Sequence, residues 1–130
     1  MNAAQLRKLR EREGELVQRA EELIEKSRIW ENREFGLSQI SLLKNIANTT
    51  SAIEVLLNFI RYQIGRDSRK WNHQRFGDLL LEDLNKISSD TRGWNGADDS
   101  VSELTLRQAR MFIGYAGRYL KYKKEMARNA

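Results

Sequence analysis

Apolar residues recur through most of this chain at steps of three and four, which is helical spacing. Over residues 3–30 they form a narrow stripe of Leu6, Leu9, Leu16, Ala20, Leu23 and Trp30, near coiled-coil spacing and interrupted at Glu13 and Gly14. Glu15 with Arg19 and Glu22 with Lys26 are i,i+4 partners that support a helix there. So thin a stripe predicts a helix that packs lightly on the domain or meets a second subunit. The stretch "NREFGLSQ" marks a turn, after which residues 38–48 place Ile40, Leu43 and Ile46/Ala47 on the inward face of a short helix. "NTTS" ends it. Ser51 and Glu54 have capping-box spacing, so a third helix is expected from residue 52. That helix is apolar almost all round apart from Glu54, Asn58, Arg61 and Gly65, which predicts the central strut of a bundle.

Residues 75–88 predict a fourth helix, with Phe76, Leu79, Leu80, Leu84 and Ile87 inward and Asp78, Glu82 and Asp83 outward. "SSDTRGWNGADDS" reads as a loop, in which Trp94 is either an anchor folded onto the core or a partner contact. Ser100 and Glu103 repeat the capping-box spacing before a last helix over 101–127, with Ala109, Phe112, Ile113, Ala116 and Leu120 inward. No stretch alternates with period two strongly enough for a strand. The expected fold is all-α: a compact bundle of about five helices in a single domain, 1–130, with a charged N-terminal helix within 1–34 and a helical core over 37–128.

Composition narrows the function classes. At 130 residues and 40% apolar the chain can bury a small core. It has no cysteine and one histidine, which excludes disulfides and disfavours a zinc site. It has no proline, where average usage is about 5%, and that suits helices joined by short connections. No apolar run approaches the roughly 18–20 residues of a membrane span. The opening "MNAAQLRKLREREGE" shows no apolar signal-peptide core. These features read as a cytoplasmic protein without a membrane partner. There is no Gly-rich phosphate loop, and Asp98 and Asp99 have no third ligand nearby, so no cofactor or metal is expected.

Charge changes the picture most. The net charge of +5 hides a segregated pattern. Residues 1–34 are balanced, residues 35–75 carry six basic and two acidic side chains, residues 76–103 two basic and seven acidic, and residues 104–130 seven basic and one acidic. Two basic segments masked by an acidic one suggest a polyanion partner. In the last helix Arg107, Arg110, Gly114, Arg118 and Lys121 share one face, with Tyr115, Tyr119 and Tyr122 beside them as candidates for base or sugar stacking. A second candidate set is Lys44, Arg61, Arg66, Arg69, Lys70 and Arg75, most of it at a helix end and its connector. One cation serves a helix C-terminus, whereas several in one place suit phosphates. No recognition helix, zinc finger or aromatic RNP motif is present to read bases. The expectation is therefore backbone binding with little sequence preference, through cations that converge into one positive groove.

Arg66 and His73, with Asp67 after the arginine, also match the loosest Arg-x(4–6)-His pattern of HEPN-type metal-free ribonucleases. There His73 would act as general acid or base and Arg66 on the transition-state phosphate. With 15 arginines in the chain, such spacing arises readily by chance. A helical protein–protein adaptor is the third class.

Two stretches carry a family resemblance. "LSQISLLKNIANTTSAIEVLLNFIRYQIGRD", through Ser41, Leu43, Lys44, Asn45, Tyr62 and Arg66, and "RMFIGYAGRYLKYKKE" resemble the small helical subunit of type III (III-A or III-B) CRISPR effector complexes over about residues 37–125. Lys44 stands where an arginine is more usual. The resemblance implies a non-catalytic protein that stacks with copies of itself and other effector subunits in antiviral defence, holding the backbone of target RNA or a displaced single strand. A head-to-tail contact is expected between the acidic fourth helix, through Glu82 and Asp83, and a neighbour's basic surface.

Overall fold

The structure, a computed structural model, describes residues 2–94 and 98–130, with side chains at 2–94 and 101–130. The helices are α1 (Ala3–Ser27), α2 (Leu37–Thr49), α3 (Ile53–Arg66), the single turn α4 (Ser68–Trp71), α5 (Phe76–Arg92) and α6 (Asp98–Arg128). Short 3-10 turns at Ile29–Glu31 and His73–Arg75 join them. The fold is all-α, with five long helices and one short one forming a compact bundle, as the apolar spacing predicts. No described helix is long and apolar enough to cross a membrane.

Local chemistry sets the helix ends. Asn2 caps α1: its side chain accepts from the Gln5 N–H at 2.9 Å, and Gln5 Oε1 accepts from the Asn2 N–H at 3.0 Å. The box expected from Ser51 and Glu54 does not form. Ala52 is the N-cap of α3, and its N–H instead donates to Thr50 Oγ1 at 3.2 Å. The α5 helix extends to Arg92, beyond the expected loop start, because the Thr91 hydroxyl bonds back to the Ile87 carbonyl at 2.6 Å and is buried there. The expected cap at Ser100 and the Asp98–Asp99 pair involve side chains outside the described residues.

α6, and not α3, is the hub. It packs closely on α1, α2 and α5 and touches α3 only slightly. Its inward face is as expected: Ala109, Phe112, Ile113, Ala116 and Leu120 are buried, joined by Leu104 and Leu106. α3 is apolar almost all round but not buried all round, since Val55 is 50% and Tyr62 59% exposed. The thin stripe of α1 does not make it a loose helix. Leu9, Leu16, Ala20, Leu23 and Ile24 are buried against α6 and α5. Polar contacts complete this packing. Arg12 and Arg19 both donate to Asp90 of α5, at 3.2 and 3.1 Å, and Arg12 also reaches buried Gln108 of α6 at 3.3 Å. Trp94 lies against this corner, with the Arg12 guanidinium 5.9 Å from its ring centre, as a loop anchor would.

Asp83 also departs from expectation. It does not point outward but is half-buried beside Arg19, Glu22, Leu23 and Lys26 of α1. Burial pushes its carboxyl up from 3.8 to about 6, against the pull of Arg19 and Lys26 and with the help of Glu22 and Glu82. A raised carboxyl pKa means that folding favours the protonated form, so Asp83 costs stability as pH rises from about 4 through 6. The full shift corresponds to about 3 kcal/mol at 1.36 kcal/mol per unit, and solvent access reduces that to about 1 kcal/mol. Asp83→Asn should therefore be about 1 kcal/mol more stable than the parent at pH ~8 and indistinguishable at pH ~3.5, read by urea unfolding.

Candidate nucleic-acid interface

The basic connector is mounted on an aromatic cluster. Trp71, 2% exposed, meets Phe35 edge-on with ring centres 5.2 Å apart and Phe59 at 6.3 Å, while Phe35 packs on Phe76 at 4.8 Å. Asp67 closes α3 and caps α4, its side chain accepting from the Lys70 N–H at 3.4 Å. Asn32 ties the turn after α1 to the same place, donating to the Arg69 and Lys70 carbonyls at 3.0 and 3.3 Å. Lys124 of α6 donates in turn to the Asn32 carbonyl at 3.2 Å, and burial lowers its ammonium pKa. With Trp71 and Asp67 turned to these tasks, Arg66 and Arg69 are left exposed on the outer side.

α2 and α6 form the other face. They run antiparallel: Gly117 makes room for Ile40, whose Cγ2 would lie 2.8 Å from a Cβ added there, and Arg110 Nε donates to the Ala47 carbonyl at 2.8 Å. Exposed Lys44 lies between these two contacts, at the level of Gly114. A Cβ at Gly114 would meet nothing within 4 Å, so its backbone is open to approach.

The predicted cations fall on two sets of elements. Arg61, Arg66, Arg69 and Lys70 lie on α3 and α4, while Lys44, Arg107, Arg110, Arg118 and Lys121 lie on α2 and α6, and α3 barely touches α6. α2 packs on both α3 and α6. Several of the cations are engaged within the chain. Arg75 pairs with Asp78 and Glu82, Lys70 with Asp67, Arg107 with Glu103 and Lys121 with Glu125, at 3.3–3.8 Å, and Arg110 is held by Ala47. Among the described residues Lys44, Arg61, Arg66, Arg69 and Arg118 have no carboxylate within 4.0 Å. Arg118 lies over the Tyr115 ring at 5.8 Å.

Sequence reasoning missed a set of aromatics and ions at the α1–α6 seam. Lys123 Nζ stands 4.3 Å from the Trp30 ring centre and 6.0 Å from that of Tyr119, and Arg28 covers Trp30 from 5.4 Å. Glu25 accepts from the Tyr119 hydroxyl at 2.6 Å and pairs with Lys123 at 2.9 Å. The bonds from Tyr119 and Lys123 hold its carboxyl below the usual range, and the same bond pushes the Tyr119 phenol up to about 12. The only signal in the sequence was helical register, because the partners lie 94 residues apart.

His73 borders an open hollow of about 670 Å³ with Glu31, Asn32, Arg33, Glu34, Ser68, Arg69 and Asn72. Its Nε2 is buried without a hydrogen-bond partner, and Gln74 and Arg75 after it adopt left-handed φ of 43° and 65°. Arg33 and Arg69, and not Arg66, are the arginines that line this hollow, so the Arg66–His73 pair is not brought together there. Among the described residues no three His, Asp or Glu side chains are grouped to hold a metal ion. Comparison of the chain with protein-family models, curated proteins and solved structures finds no match.

Proposed function

We propose that the chain is a non-catalytic small subunit of a type III CRISPR RNA-guided effector complex, acting in antiviral defence by holding the backbone of target RNA or a displaced single strand. One observation carries the reading: five exposed or rim cations on rigid helices, Lys44, Arg61, Arg66, Arg69 and Arg118, lack a carboxylate partner among the described residues. Cations already paired gain little from a phosphate, whereas unpaired ones release counterions from it. Guide pairing supplies the sequence and the protein supplies charge, in line with the absence of a base-reading motif. Stacking of copies belongs to the same proposal, with Glu82 as its acidic contact in place of half-buried Asp83.

Filter binding of single-stranded RNA across a salt series tests it. Arg66→Ala/Arg69→Ala and Lys44→Ala/Arg118→Ala should each weaken binding equally for all sequences and reduce the salt slope by about 1.4, at about 0.7 per lost phosphate contact. Arg75→Ala and Arg107→Ala, which remove cations already paired, should change it little. Unchanged slopes in both double variants would refute the reading. Cleavage of the RNA, lost in Arg66→Ala and in His73→Ala, would replace it with the ribonuclease.

A further inference from the structure

The α1–α6 seam carries a groove of about 330 Å³ lined by Val17, Glu21, Tyr115, Arg118, Tyr119 and Tyr122. Three tyrosines within eight residues of one helix bring their rings to one strip. Tyr119 and Tyr122 stand 5.7 Å apart, and Tyr122 is 54% exposed. The strip has two unlike rims. On the α6 side, Arg118 lies next to the tyrosines, with Gly114 and Lys121 beyond it on the outer face. On the α1 side stand Glu21 and Glu25, and Glu25 is already satisfied by Tyr119 and Lys123.

We propose that this groove is a base-stacking site for single-stranded nucleic acid; the inference rests on the backbone-binding reading above and adds to it where the bases go. The rims orient the strand. Glu21 repels phosphate on the α1 side, so the backbone follows Gly114 and unpaired Arg118, and the bases turn inward onto the rings. Gly114 lets that backbone approach closely, because no side chain stands in the way. Aromatic faces accept any base, which keeps recognition independent of sequence. Tyr115 and Tyr122 are seven residues apart, about 10 Å along a helix. Tyr122, the exposed ring of the three, offers its face to an incoming base. A protein partner would use the same rings as plain apolar area, without needing their π faces.

Tyr122 is the clean probe: it is exposed, and its hydroxyl makes no hydrogen bond among the described residues. The full chain would be titrated by fluorescence anisotropy against an oligouridine of about twelve nucleotides and an abasic strand with the same number of phosphates. Salt would run from about 50 to about 200 mM. The parent should bind the uridine strand about tenfold more tightly than the abasic one. Tyr122→Leu should remove most of that advantage, leave abasic binding and the salt slope unchanged, and keep the parent's circular dichroism; Tyr122→Phe should behave as the parent. Equal affinity for both strands, or a Tyr122→Leu protein that binds uridine like the parent, would overturn the stacking site while salt-dependent binding kept the phosphate reading. Tyr122→Leu changing only self-association would assign the groove to protein contact and equally overturn it. No binding of either strand at about 50 mM salt would overturn both readings.

Discussion

Asp90→Ala should destabilise the fold by about 3 kcal/mol at neutral pH. Asp90 Oδ2 accepts from both Arg12 and Arg19, whose side chains are only 14% and 13% exposed. Removing it strands two nearly buried guanidiniums, with Glu15 of α1, 45% exposed, as the remaining carboxylate partner of each. Arg19 is already short of partners, since its Nη1 is buried without one. The loss would spread to α6, because Arg12 also donates to Gln108, which is fully buried and donates on to Thr91 Oγ1 at 2.7 Å. The pH dependence has a definite sign. Burial pushes the Asp90 carboxyl up, but hydrogen bonds from Arg19 and Arg12 outweigh it, and its pKa falls below the usual aspartate value. Its stabilisation is thus complete above about pH 4 and disappears as pH falls through the lowered folded value. Urea unfolding should show the parent and Asp90→Ala far apart at pH ~7 and converging toward pH ~2.5. A gap that persists undiminished in acid would assign the loss to packing. Asp90→Asn, which keeps one acceptor, should lie between the two.

That network also marks where the sequence stops being informative. The inward faces of α2, α5 and α6 were legible because apolar residues at period 3.6 have one physical meaning. The weight of α1 was not. Its apolar stripe is thin, and what completes its burial is a set of polar contacts to residues 71 to 96 positions away. Charge along the chain does not say which ions will meet. Asp83 looked like one more outward acid by spacing, yet α1 covers it. The end of α5 was missed for a local reason. Ser, Asp and Thr read as loop formers, but here Thr91 satisfies its hydroxyl on the preceding turn and faces Gln108. The candidate interface divides in the same manner. Register alone placed Arg107, Gly114, Arg118 and Lys121 on one face. Nothing in register could show that Val17 and Glu21 of α1 wall the tyrosines.

Gly77→Ala should lower stability by about 2–3 kcal/mol, and the comparison with Gly114→Ala gives the prediction its force. Both glycines lie inside helices, and no glycine among the described residues has positive φ, so backbone conformation demands glycine at neither. Helix propensity alone would make each substitution favourable by up to about 1 kcal/mol. Space decides the sign. At Gly114 an added Cβ meets nothing within 4 Å, so the gain stands. At Gly77 it would lie 2.6 Å from Ile64 Cδ1 and 2.7 Å from the Trp71 carbonyl oxygen. Ile64 can change rotamer, but the carbonyl belongs to α4 and gives way only if that turn shifts. α4 is held by the cluster of Trp71 with Phe35 and Phe59, and Phe76 at the start of α5 packs on Phe35. Separating α5 from α4 therefore loosens the mount that fixes Arg69 outward beside Arg66. Gly77→Ala should lose stability in thermal unfolding, shift Trp fluorescence to the red, and weaken salt-dependent RNA binding without a charge having been removed. Gly114→Ala should gain stability. If the two variants changed stability in the same direction, the close contact between α4 and α5 would not be what holds the basic connector in place.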